Sequence, residues 1–75
     1  MNTYRTLSEV LQKQDVFLGP ATVKLVIKNL NIKTSTNNEV VKISTSEKEV
    51  LKSLVDMFVE LAGPIATKPI EQFIH

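Results

Sequence analysis

The 75-residue chain carries nine Lys or Arg against eight Asp or Glu, is 43% apolar and has no cysteine, which describes one small domain over residues 1–75 burying roughly 60% of its unfolded surface. Without cysteine there is no disulfide framework, thiolate zinc site or cysteine nucleophile. Met1–Arg5 lacks the basic cluster and apolar core of a secretion signal and no apolar run approaches the ~18 residues of a membrane span, so a cytoplasmic protein with no membrane partner is expected.

A helix is predicted from about Thr6 to Val16, with Leu7, Val10 and Leu11 recurring on one face. Gly19-Pro20 then forms a corner: glycine takes backbone angles closed to other residues, and proline opens the next helix because its missing N–H would be unbonded there anyway. In Ala21–Leu30, helical steps join Val23, Val26, Ile27 and Leu30, whereas Val23, Leu25 and Ile27 alternating with Lys24 and Lys28 fit a strand. The Gly-Pro start favours the helix.

Asn31–Thr45 is rich in Thr, Ser and Asn, with Ile32, Val41 and Ile43 spaced around Asn37-Asn38. Asn tolerates left-handed backbone angles, so this segment reads either as a hairpin turning near Asn37-Asn38 or as a polar loop. Fifteen residues without structure would be long for so small a domain, which favours some strand.

Glu47–Ala62 shows the clearest amphipathic pattern, with Val50, Leu51, Leu54, Val55, Phe58, Leu61 and Ala62 set against Glu49, Lys52, Ser53, Asp56 and Glu60. Ser46 with Glu49 reads as a capping box, in which hydroxyl and carboxylate each take a free backbone N–H. Gly63-Pro64 repeats the corner. Beyond it Ile65, Ala66, Ile70, Phe73 and Ile74 are apolar, and Pro69, which would remove an internal bond and clash with the preceding turn, predicts one short turn and a restart.

The two halves read as a candidate internal repeat: Glu9-Val10-Leu11, Asp15-Val16-Phe17 and Gly19-Pro20-Ala21-Thr22 parallel Glu49-Val50-Leu51, Asp56-Met57-Phe58 and Gly63-Pro64-Ile65-Ala66-Thr67. Glu to Gly spans 10 residues in the first copy and 14 in the second, so the second arm is expected to be about one helical turn longer.

Catalytic chemistry is thin. Gly19 and Gly63, each before a proline, are the only glycines, so no glycine-rich phosphate cradle exists. His75, the sole histidine, sits where fraying makes it a poor base or ligand, and Glu47, Glu49, Asp56 and Glu60 share a solvated helix face. No enzyme, metal or cofactor is expected. Residues 1–30 hold four basic groups against two acids and residues 46–75 three against five, a mild basic bias at the front. The apolar band of the long helix, widened by Met57 and Val59, exceeds what one neighbour covers, which marks Leu54, Val55, Met57, Phe58 and Leu61 as a candidate interface.

Phe58-Val59-Glu60-Leu61-Ala62-Gly63-Pro64-Ile65-Ala66 resembles a short helical region, often bearing a Gly-Pro-Ile-Ala corner, at the carboxyl ends of some bacterial signalling proteins, including kinases and cyanobacterial regulators. The likeness covers residues 47–75 at most and implies an accessory, protein-binding role without catalytic residues; Pro69 departs from it, because the relatives continue an apolar helix there. Thr6-Leu7-Ser8-Glu9-Val10 and Pro20-Ala21-Thr22-Val23 resemble the two helices of a lac-type helix-turn-helix head. That likeness implies Thr22 and Lys24 facing DNA and Lys28 near phosphate. The connection from Val10 to Pro20 is longer than the motif's, Leu11 replaces a small residue, and Leu25 replaces a polar contact.

The expected fold is mainly α: a small helical domain of two helix-Gly-Pro-helix units with a short β-hairpin between them, α+β being the alternative. The expected function is a non-catalytic protein-interaction or oligomerisation module, regulatory in role, that forms a homodimer or takes a partner protein's helix. The alternative is a small helix-turn-helix DNA-binding regulator acting through Thr22, Lys24 and Lys28.

Overall fold

Leu7, Val10, Leu11 and Gln14 fall three and four residues apart, and this stripe defines α1, Arg5–Leu18, with all four side chains at 0% exposure. The computed structural model describes residues 4–73, without the side chain of Gln72; Ile74 and His75, named above, lie outside the described residues. α1 runs two residues past Val16 and stops where Gly19 takes φ +94° and donates its N–H to the Asp15 carbonyl at 3.0 Å. Pro20 opens α2, Pro20–Asn29, which buries Val23 and Val26 and half-buries Ile27 and Leu30, so the helical reading of this segment holds.

The chain folds back directly after α2 through Asn31 (φ +55°) and an Ile32 N–H bond to the Ile27 carbonyl at 3.1 Å. β1, Lys33–Thr34, pairs antiparallel with β2, Val40–Lys42, placing Lys33 opposite Lys42 and Thr34 opposite Val40, so β2 carries one extra residue. Asn38 N–H bonds the Ser35 carbonyl (3.3 Å), Ser35 N–H bonds the Glu39 carbonyl (2.9 Å), and Asn38 sits at φ +59°. This is the three-residue hairpin loop whose last residue must be left-handed, a position asparagine tolerates. The inward valine is Val40 (3% exposed), and Val41, singled out from sequence, faces solvent at 58%.

α3 spans Glu47–Ala62 as predicted, and buries Val50, Leu54 and Phe58, one residue per turn. Only half of the capping box forms. Ser46 Oγ accepts the Glu49 N–H at 3.3 Å, but the Glu49 carboxylate accepts the Thr45 hydroxyl at 2.7 Å instead of reaching back to Ser46.

The last element corrects the sequence reading, since no restart occurs at Pro69. Pro64–Phe73 is one 3-10 helix containing Pro69, packed against both α1 and α3, with Ala66 and Ile70 fully buried. In a 3-10 ladder residue 69 would donate to the Ala66 carbonyl, and proline has no N–H to give. Gln14 of α1 supplies that donor: its Nε2 bonds the Ala66 carbonyl at 2.7 Å. The proline is thus tolerated because a buried side chain from another helix completes the ladder, leaving Gln14 Oε1 buried without a partner.

A second, polar stripe on α1 holds the hairpin. Ser8, Gln12 and Asp15, again at four- and three-residue steps, meet it in order: Ser8 Oγ accepts the Val40 N–H (2.8 Å), Gln12 Nε2 donates to the Asn37 carbonyl (3.1 Å), and Asp15 Oδ2 accepts from Asn38 Nδ2 (2.7 Å). The hairpin in turn places Ile32 and Val40 in the common core. A two-stranded ribbon has little stability alone, so α1 is what fixes it.

The two corners match in conformation. Gly19 has φ 94° and ψ 158°, Gly63 φ 86° and ψ 175°, and each N–H bonds the carbonyl four residues back, of Asp15 and Val59 respectively. A Cβ at either glycine would meet nothing within 4 Å, so the positive φ alone demands glycine there. From Glu9 up to Gly19 and from Glu49 up to Gly63 the chain is helical throughout, so the second span is the longer by four residues, about one turn, although the whole helices, 14 residues in α1 and 16 in α3, differ by only two. Divergence comes after the corner, where Leu25 stands five residues beyond Pro20 while Pro69 stands five beyond Pro64. The architecture is mainly α with a short β-hairpin.

Candidate interaction surface

The apolar band of α3 divides into three strips at ~100° per residue. Leu54 and Phe58, two of the five candidate interface residues, are at 0% exposure in the centre of the chain's own core, between α1, α2 and the 3-10 helix. They touch no outside partner in the folded chain, which corrects their assignment. The short elements wrap α3 more completely than the chain length suggested, because α2 and the 3-10 helix both return onto it. Val55 is half-buried on one flank and Met57, half-buried, on the opposite flank, while Leu61, only ~20° from Leu54 around the helix, continues the central strip into the last turn, where it is 46% exposed. One partner helix therefore cannot cover all five.

The Val55 flank carries a formed surface. Leu51, one turn before Val55, and Phe73 of the 3-10 helix join it as the floor of an open groove of about 710 Å³, edged by Lys48, Lys52, Glu49 and Asp56. Leu51 and Phe73 are the members that sequence reasoning missed. Leu51 was legible as the residue four before Val55 on the same face. Phe73 was not, since its position depends on the 3-10 path through Pro69.

A second open groove, lined by Glu9, Gln12, Lys13, Val16, Phe17 and Pro69, lies against α1, with Val16 90% and Phe17 46% exposed. It combines one acid and one base with an apolar rim. At the second corner Leu61 and Ile65 are exposed at 46% and 59%.

The residues of the DNA-binding alternative all lie on α2 but not on one face: Lys24 and Lys28 are exposed one turn apart, while half-buried Thr22 is about 160° from Lys24 around the helix. Their helix is not set as in a helix-turn-helix head. That motif needs a turn of about three to four residues between its helices, whereas α1 stays helical through Leu18 and Gly19 alone separates it from α2. Leu11, read as replacing a small residue of the motif, is instead fully buried in the core.

Three of the four carboxylates, Glu49, Asp56 and Glu60, lie exposed on the outward face of α3, whereas Glu47 is half-buried and falls about 20° from Leu54, on the core side. Among the described residues no group of three or more His, Cys, Asp or Glu side chains is placed to hold a metal ion, and no helix is long and apolar enough to cross a membrane. Comparison of the chain with protein-family models, curated proteins and solved structures finds no match.

Proposed function

We propose that this chain is a non-catalytic interaction module that self-associates as a homodimer through the face formed by Leu51 and Val55 of α3 and Phe73 of the 3-10 helix. A regulatory role in the cytoplasm belongs to the same reading. The observation that carries it is the composition of that face, an apolar floor of Leu51, Val55 and Phe73 edged by Lys48 and Lys52 as well as Glu49 and Asp56. An apolar centre with a charged rim is the general anatomy of a protein interface. Two cations and two anions on one rim are also self-complementary: a two-fold axis presents each copy's lysines to the other's carboxylates, as an isologous contact requires.

The size of the face sets the affinity. α3 is 16 residues long, so its face is a strip about 24 Å long and about 10 Å wide, on the order of 240 Å² and well below the ~800 Å² per partner typical of stable complexes. The expected dimer is weak, with dissociation in the micromolar range. Sedimentation of the chain over increasing concentration tests this: a mass rising from one chain to two supports it, and one chain at every concentration removes it.

A further inference from the structure

A separate surface carries an inference independent of the dimer. Between residues 20 and 45 the chain has four lysines, Lys24, Lys28, Lys33 and Lys42, and a single acid, Glu39. All four lysines are exposed. They also fall into two like-charged neighbour pairs. Lys24 and Lys28 are one turn apart on the outer face of α2, and Lys33 and Lys42 are directly opposed across the hairpin. Each arrangement is mildly destabilising by itself. The turn that closes α2, with Ile32 N–H on the Ile27 carbonyl at 3.1 Å, starts β1 directly at the end of the helix, so Lys33 follows Lys28 by five residues. The ion pairs recorded among the described residues, Arg5–Glu9 and Lys68–Glu71, lie outside this segment and neutralise none of the four.

We propose, in departure from the expectation of no membrane partner, that these lysines bind the anionic face of a lipid bilayer, without any helix entering it as a span. Two features select lipid over nucleic acid. The surface holds no arginine and no aromatic side chain, the groups that fork onto phosphates and bases or stack on unpaired bases. In their place stand exposed aliphatic residues, Leu25 at 47% between the α2 lysines and Val41 at 58% beside Lys42. Lysines with exposed aliphatic neighbours suit a headgroup layer, where the charges meet anionic lipid and the aliphatic groups reach toward the acyl boundary. Each lysine near such a surface contributes about fivefold in binding, the equivalent of ~1 kcal/mol.

The test is co-sedimentation of the full chain with vesicles of phosphatidylserine in phosphatidylcholine and with vesicles of phosphatidylcholine alone, at low and at high salt. Binding to the anionic vesicles only, collapsing at high salt, is expected. Lys24→Gln/Lys28→Gln and Lys33→Gln/Lys42→Gln should each weaken it by about 25-fold, as two lysines at fivefold each imply. Because the four side chains are exposed and mutually repelling, both variants keep the fold, which their unfolding temperature reads. Equal binding to both vesicle types, no binding to anionic vesicles, or binding unchanged in both variants overturns the proposal. A duplex oligonucleotide that displaces the chain from anionic vesicles at equal phosphate concentration overturns it in favour of nucleic acid.

Discussion

Replacing Gln14 with Met, alone and together with Pro69→Ala, tests whether a side chain on α1 stands in for the backbone donor that proline lacks. Gln14 is fully buried, and its Nε2 lies 2.7 Å from the Ala66 carbonyl. Removing that donor orphans a buried carbonyl, which costs about 1–3 kcal/mol, from a total of about 4–11 kcal/mol for a chain of this length. Methionine also removes the unpartnered Oε1, a relief that partly offsets the loss and obscures the single variant. A double-mutant cycle separates the two effects. Pro69→Ala supplies an N–H aimed along the 3-10 ladder at Ala66, so in that background the carbonyl keeps a donor after Gln14 is changed. The relief at Oε1 and the effect of proline on the unfolded chain occur in both backgrounds and cancel. Gln14→Met should therefore cost at least about 1 kcal/mol less in the Pro69→Ala background than in the natural chain, read by urea unfolding or as about 4–8 °C in melting temperature. Additivity within ~0.5 kcal/mol would refute the substitution of side-chain for backbone donor.

Three further outcomes follow from the same structure. Ser8→Ala strips the buried Val40 N–H of its acceptor at 2.8 Å and should cost about 1–3 kcal/mol, with amide exchange in β2 accelerating before that in α3. Asn38→Ala, at φ +59°, should cost about 1–2 kcal/mol for the left-handed backbone, whereas Asn38→Gly should lose only the bond to Asp15; equal loss in both, by thermal melting, would contradict the turn assignment. Leu54→Ala should cost about 2–5 kcal/mol and Leu61→Ala no more than about 0.5 kcal/mol, because the first is sealed and the second 46% exposed; comparable losses would mean that α3 is seated differently.

The fold was legible wherever local chemistry decides. The Gly-Pro corners needed a residue able to take positive φ followed by one without an N–H, and Ser46 marked the first turn of α3 by its hydroxyl. The apolar periodicity of Leu7, Val10 and Leu11 gave the buried face of α1. What was hidden depends on partners distant in sequence. Pro69 reads as a helix breaker until Gln14, 52 residues before the Ala66 carbonyl that it bonds, supplies the missing donor. Nothing in the sequence marks Gln12 and Asp15 as holding Asn37 and Asn38 of the hairpin. The candidate interface suffered from the same blindness. A helix wheel shows that Leu54 and Phe58 are apolar, but not that the chain's own α2 and 3-10 helix cover them, and it cannot show Phe73 arriving beside Val55.

The central claim, pairing of two copies across the mixed-charge rim of α3, is tested most directly by mixing charge-reversed variants. Lys48→Glu/Lys52→Glu makes that rim wholly acidic, and Glu49→Lys/Asp56→Lys makes it wholly basic. Each variant should sediment as one chain at concentrations where the natural chain forms pairs, and an equimolar mixture should restore the mass of two. If each variant alone still pairs as the natural chain does, or the mixture stays at one chain, copies of this protein do not meet across that face.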